Sequence, residues 1–214
     1  MAKSILSMCF SMELRNFKKG YPIFRVDVPV EYTFADLIQI IKIITGYGDK
    51  YDWDFVYYEN THHTVDYEKY IGDKKAVSIK SYFDNRNYDE IRWSERDRSS
   101  FFNGGVTECI YGDMRIDIST RSDRKQTKVY PEMYNAEGIF PSEKEFEKGI
   151  TNEVRKKLGT LREMLANTER LFEKEELKEI DEKLKDYFKN KYKISDELSE
   201  FFTWGNGYKL TERK

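Results

Sequence analysis

Residues 21–46 have the sequence YPIFRVDVPVEYTFADLIQIIKIITG, and this stretch decides the fold class. Phe24, Val26 and Val28 alternate with charged residues. That period of two is typical of a strand with one buried face. Pro29 ends the run, because proline cannot donate a hydrogen bond inside a sheet.

A helix is predicted directly after this strand. Thr33 is the expected N-cap, and Asp36 stands three residues later in the capping-box position. Gly46 is the expected end of the helix. The apolar residues that recur at helical spacing are Phe34, Leu37, Ile38, Ile41 and Ile44. We therefore expect one face of this helix to lie on a sheet.

Strands are also predicted on both sides of the strand-helix unit. Before it, residues 8–14 alternate and are expected to pair with residues 24–28 as a hairpin; the alternating residues are Met8, Phe10, Met12 and Leu14. After it, Trp53, Phe55 and Tyr57 predict a third strand. Residues 106–119 predict a second hairpin with its turn at residues 112–113. Residues 131–141 show no regular pattern and are predicted to be irregular.

The last third of the chain has a different pattern. Ser142 and Glu145 form a second capping-box signal. Two apolar stripes at helical spacing follow, Phe146, Ile150, Val154, Leu158, Leu161 and Leu165, then Leu177, Ile180, Leu184 and Phe188. The predicted fold class is α+β, with an antiparallel sheet packed with one helix and followed by a C-terminal helical region. We expect residues 1–141 to form an α+β domain and residues 142–214 a helical appendage.

Composition limits the kinds of partner and compartment. The 37 basic and 39 acidic residues nearly cancel, which gives no overall attraction to nucleic acid or anionic lipid. Cys9 and Cys109 lack the spacing of a zinc site or a disulfide framework, so reduced thiols are expected. Residues 1–10 do not resemble a signal peptide, and the longest apolar stretch is too short to span a bilayer. We expect a cytoplasmic protein without a membrane contact and without a cofactor.

Several short motifs occur together between Tyr21 and Tyr57. They are Pro22, Phe24 and Arg25, then Val28-Pro29, then Thr33-Phe34 and Asp36-Leu37, then Ile41 and Gly46, followed by Trp53-Asp54-Phe55. In this N-terminal stretch the chain resembles the plasmid pRiA4b ORF-3-like family. The family's later Tyr-Asp-Phe-Gly-Asp type of motif is not found here, and residues 111–113 are its nearest counterpart. The resemblance implies a fold and an association with mobile elements, and it implies no activity.

Arginine and aromatic residues are interleaved between residues 86 and 102. This combination is enriched at the hot spots of protein interfaces. Acidic residues in the same segment argue against a simple phosphate-binding surface. The predicted partner-binding residues are Arg92, Trp93, Arg96, Arg98 and Phe101. A surface loop whose charges pair with one another is the alternative.

Basic residues outnumber acidic ones over residues 115–128. With Tyr130 and Tyr134 nearby to stack on bases, this segment predicts a local nucleic-acid patch as an alternative. Its residues are Arg115, Arg121, Arg124, Lys125 and Lys128.

No catalytic residue and no metal site are predicted. His62 and His63 are the only histidines, and adjacent side chains on an extended segment point in opposite directions. Glu108, Asp113 and Asp117 surround one predicted hairpin and would suit Mg²⁺ if they shared a sheet face. A metal-dependent nuclease is therefore a second alternative.

The function favoured by these features is binding, with no enzymatic activity. We expect an interaction protein of a mobile element or phage that binds a macromolecular partner, with a protein as the favoured partner. An inhibitor of a host defence system is one version of this hypothesis. Nucleic acid as the partner, and self-association through the C-terminal helices, stay open.

Overall fold

The structure, a computed structural model, describes residues 3–14, 23–59, 67–84, 107–112, 114–137, 143–144, 174–201 and 205–213. Its strands are β1 (Ile5–Leu14), β2 (Ile23–Pro29), β3 (Trp53–Glu59), β4 (Tyr67–Tyr70), β5 (Thr107–Tyr111), β6 (Met114–Gln126), β7 (Glu132–Glu137), β8 (Tyr192–Phe201) and β9 (Gly205–Glu212). Its helices are α1 (Phe34–Thr45), α2 (Ile79–Asp84) and α3 (Lys174–Phe188).

Seven strands form one antiparallel sheet in the order β4-β3-β5-β6-β1-β2-β7. β1 is an inner strand, and its side chains are buried from Ile5 to Met12. The predicted hairpin of β1 and β2 is confirmed, with Met12 opposite Phe24. The predicted second hairpin is also confirmed, because β5 pairs with β6 across Gly112.

The two faces of this sheet differ in chemistry. On one face, here called the core face, Met8, Phe10 and Met12 of β1 are buried. α1 covers this face, since the ring centroid of Phe34 lies 5.0 Å from that of Phe55. The opposite face, here called the polar face, carries Ile5 and Ile110 together with many small or polar side chains, namely Ser7, Cys9, Ser11, Arg25, Asp27, Glu108, Arg115, Asp117, Arg124 and Gln126.

α1 begins and ends as the sequence predicts. The Asp36 backbone N–H donates to Thr33 Oγ1 over 3.2 Å, and the Thr33 N–H donates to Asp36 Oδ2 over 3.0 Å, which completes the capping box. Gly46 has a φ of 76° and donates its N–H to the Lys42 carbonyl. A left-handed residue at this position is what closes many helices, and glycine adopts it without strain.

The fold-class prediction is wrong in its second half. The structure is mostly antiparallel sheet with few helices, and it is not a sheet followed by a C-terminal helical region. The stripe from Leu177 to Phe188 does form the helix α3, but β8 and β9 follow it as a hairpin. The stripe over residues 146–165 lies outside the described residues. Residues 132–137, predicted to be irregular, form the edge strand β7.

None of the helices in the described part is both long and apolar enough to cross a membrane.

The C-terminal elements pack on the sheet region. The ring of Tyr32 lies 5.0 Å from Phe188 of α3 and 4.6 Å from Tyr192 of β8. At the other end, the Tyr208 N–H of β9 donates to the Ser4 carbonyl over 2.7 Å. The predicted division at residues 141 and 142 stays a prediction, although these contacts cross it.

Gly207 allows β9 to approach β1 closely, and its replacement by alanine is expected to destabilise the protein. A Cβ atom there would stand 2.9 Å from the Leu6 backbone nitrogen and 2.8 Å from Leu6 Cγ. We expect Gly207→Ala to lower the free energy of unfolding by about 1–3 kcal/mol, the usual cost of overpacking. Urea denaturation measures this. Gly72→Ala is the matched control, because a Cβ on Gly72 meets no atom within 4 Å; equal midpoints for the two variants would contradict the prediction.

Candidate functional site

The polar face is the candidate functional site, because it holds ionised side chains that the fold partly buries. Glu108 of β5 has no exposed surface, and its Oε2 accepts a hydrogen bond from Arg115 Nη1 over 2.8 Å. The Arg115 side chain keeps 35% of its surface exposed. A buried carboxylate therefore holds a partly exposed guanidinium in one orientation.

A second ion pair lies on the same face at the other end of β6. Arg124 Nη1 donates to Asp27 Oδ2 over 3.2 Å, and the Arg124 side chain is 47% exposed. Burial raises the pKa of Asp27, and the charge of Glu132 adds to this rise. Three interactions lower the same pKa: the charge of Arg124, its hydrogen bond, and a hydrogen bond from the Cys9 thiol. The pKa of Asp27 nevertheless stays above its ordinary value.

The predicted basic patch does not form one continuous surface in the described part of the chain. Arg115 and Arg124 lie on the polar face, whereas Lys125 stands opposite Leu6 and therefore belongs to the other face. Lys128 forms an ion pair with Glu132 in the connection before β7. The residue at position 121 lies where the pairing of β6 with β1 shifts register, and nothing is described of the Arg121 side chain.

The predicted acidic cluster is only partly brought together. Glu108 and Asp117 stand directly opposite each other on β5 and β6, so they do share a sheet face. Arg115 binds the Glu108 carboxylate there, and Asp113 lies outside the described residues. Within the described ranges, no group of three or more histidine, cysteine, aspartate or glutamate side chains is placed to hold a metal ion. His62 and His63 lie outside those ranges.

The predicted partner-binding residues lie outside the described part of the chain. They are Arg92, Trp93, Arg96, Arg98 and Phe101. Their assignment stays a prediction from the sequence.

Both cysteines, Cys9 and Cys109, are buried thiols. Burial raises the pKa of Cys109, with a further rise from the charge of Asp54 that Lys74 opposes. A thiol whose pKa is raised stays protonated at neutral pH, and the protonated form is a poor nucleophile.

A buried carboxylate at the start of α1 was not predicted as a site. Asp36 is 1% exposed, and beyond its capping role it accepts from Lys191 Nζ over 2.6 Å and from the Tyr192 hydroxyl over 2.5 Å. Burial raises the pKa of Tyr192, and the hydrogen bond to Asp36 and its charge add to the rise. Burial lowers the pKa of Lys191, but the hydrogen bond and charge of Asp36 outweigh it and leave the pKa raised. Asp36 therefore ties α1 to the start of β8.

A second buried contact joins the sheet to the segment after it. The Tyr111 hydroxyl donates to Glu143 Oε1, and the ring of Tyr111 stacks on Trp53 at a centroid distance of 4.3 Å. Burial, together with the bond to Glu143, raises the pKa of Tyr111 to about 12. The phenol therefore stays protonated and acts as a hydrogen-bond donor.

Comparison with known proteins identifies no family. The sequence matches none of the protein-family models and none of the curated proteins compared with it. Among solved structures it is similar to the crystal structure of a protein of unknown function, MM3350, from Methanosarcina mazei Go1. That similarity has a TM-score of 0.49 and 15% sequence identity, and it covers 84% of this chain and 88% of the other.

Proposed function

We propose that this protein binds a protein partner through surface charges of both signs and has no enzymatic activity. The observation that carries the proposal is the pairing of its basic side chains with carboxylates. Arg115 pairs with Glu108, Arg124 with Asp27, and Lys128 with Glu132. Each pair contributes no net charge.

Ion pairing of this kind favours a protein over nucleic acid as the partner. Binding to nucleic acid is driven by basic side chains that replace counterions on the phosphates. An arginine already bound to a carboxylate would have to give up that partner first. Protein interfaces are enriched in arginine and tolerate charges of both signs at their rims.

The two arginines of the polar face are held in fixed orientations, which favours their use as contacts in a protein interface. Glu108 is fully buried and the Asp27 side chain is 15% exposed, so each carboxylate is fixed by the sheet. An arginine held in one orientation loses less side-chain entropy when a partner binds. Arg115 and Arg124 therefore join the sequence-predicted residues as proposed contacts. We also propose that the protein comes from a mobile element or phage and inhibits a host defence system. These two parts of the proposal rest on the sequence alone.

Affinity purification tests the proposal. Tagged wild-type protein would be incubated with host-cell lysate that has been treated with DNase and RNase. We expect a protein partner to be retained by the wild type and lost with the Trp93→Ala/Arg96→Ala double variant. The control is Tyr187→Ala/Lys189→Ala, which removes an aromatic and a basic side chain that are both exposed on and just after α3.

Two results would contradict the proposal. One is a partner set that is identical for the wild type and the Trp93→Ala/Arg96→Ala variant. The other is retention that disappears on nuclease treatment, because nucleic acid would then be the bound molecule. In that case binding is expected to weaken steeply with salt and to be lost with Arg124→Ala/Lys125→Ala.

A further inference from the structure

One side chain of α3 covers part of the exposed edge of the sheet. β7 is an outer strand, and outer strands present backbone groups that other chains can pair with. The Met133 N–H of β7 donates to Asp181 Oδ1 of α3 over 2.7 Å. Asp181 therefore occupies a backbone donor of the edge strand and holds α3 beside it.

Charged groups are crowded around this contact. Glu132 of β7 stands next to Met133, and Asp27 of β2 stands opposite Glu132 in the sheet. Two basic groups balance these acids: Lys128 pairs with Glu132, and Arg124 pairs with Asp27. On α3 itself, Lys178 and Lys185 lie one turn from Asp181. Among the described residues, no charged group of α1, which also packs on α3, acts on the Asp181 carboxylate.

We propose that α3 is a pH-dependent cover on the β7 edge, which ionisation of Asp181 loosens and its protonation tightens. Asp181 is the group that couples pH to the position of the helix, because it accepts the hydrogen bond from the Met133 N–H and so joins α3 to β7. Glu132 is the neighbouring charge that makes the ionised form of Asp181 less favourable when α3 is docked.

The charge balance at Asp181 gives the direction of the effect. Burial raises the pKa of Asp181, and the charge of Glu132 raises it further. The Met133 N–H and the charge of Lys128 lower it without cancelling the rise. A carboxyl whose pKa is higher in the docked state binds its proton more tightly there. Its stabilisation of the docked state is complete below the ordinary aspartate pKa of about 4 and is lost as the pH rises through the raised pKa.

Native-state hydrogen exchange of the full chain tests this proposal. Protection of the Met133 amide and of the α3 amides would be measured between about pH 3 and 7.5, a range that begins below the ordinary aspartate pKa, and corrected for intrinsic exchange. We expect wild-type protection at Met133 to fall by about threefold or more as the pH rises, and Asp181→Asn to show a change of less than about twofold. The asparagine keeps an oxygen that accepts from Met133 but has no titrating charge.

Asp186→Asn is the matched control on the same helix. Asp186 is exposed and pairs with Lys189, which lowers its pKa, so this variant should keep the wild-type profile. Should Asp181→Asn not fold, Glu132→Gln tests the proposal from the strand side. It should weaken the pH dependence of protection without abolishing it, because burial of Asp181 still raises its pKa. Any of three results would overturn the proposal. The tested variant could show the same pH dependence of Met133 protection as the wild type, or wild-type protection could increase with pH. The Asp181 and Asp186 variants could also change the pH dependence equally.

Discussion

Replacing Asp36 with alanine is expected to lower the free energy of unfolding by about 3–5 kcal/mol, because it breaks a half-buried ion pair, a buried hydrogen bond and a helix cap together. The variant leaves the Lys191 ammonium and the Tyr192 hydroxyl without the carboxylate that they share. It also removes the side chain that accepts from the Thr33 N–H at the start of α1. Chemical denaturation followed by far-ultraviolet circular dichroism measures the loss.

Asp49→Ala is the control for this prediction. Asp49 also pairs with a lysine, Lys42, at 2.6 Å, but its side chain is 76% exposed. Exposed ion pairs contribute little, so this variant should change the free energy of unfolding by less than about 1 kcal/mol. A loss as small for Asp36→Ala as for Asp49→Ala would show that the buried carboxylate does not hold β8 to α1.

Replacing Phe188 with alanine is expected to cost about 3–5 kcal/mol of stability, as for other buried aromatic residues. Phe188 at the end of α3 is fully buried and lies against the ring of Tyr32. The variant would leave a cavity where the C-terminal elements meet the first part of the chain. The loss of packing should therefore destabilise the sheet as well as α3.

The neighbouring Tyr187 provides a matched control and makes the result decisive. Its side chain is 51% exposed, so Tyr187→Ala should change stability by about 0.5 kcal/mol or less. Thermal unfolding of Phe188→Ala should stay a single transition at a lower temperature when followed by both tryptophan fluorescence and circular dichroism. Two separate transitions, with the first confined to the C-terminal residues, would favour the predicted division at residues 141 and 142.

Elements with an undisturbed hydrophobic period could be predicted from the sequence. β2, α1 and α3 each keep one apolar face over their full length, and each was located by that period. β8 could not be found this way. Its pairing shifts register between Ile194 and Leu198, so that residues 195–197 face a single residue of β9. The bulge breaks the alternation on which strand prediction depends.

The chemistry of the sites was harder to predict than the elements that carry them. The hairpin prediction was sufficient to place Glu108 and Asp117 on one face. It could not show that Arg115 would bind Glu108, because the partner of a buried carboxylate depends on the tertiary packing around it. Asp36 was recognised as a capping residue, but its partner Lys191 is 155 positions away in the sequence. No local pattern encodes such a contact.

The position of β1 in the sheet has a consequence for folding during synthesis. β1 is made before β6, its neighbour in the sheet, whose Gln126 stands opposite Ile5. At ribosomal rates of about 5–20 residues per second, β1 waits roughly 6–24 s for that partner. During this time β1 has the β2 hairpin on one side and an unpaired apolar edge on the other, which is the kind of surface that chaperones bind and that aggregates form from. The nascent chain therefore passes through a stage of high aggregation risk that ends only when β6 emerges.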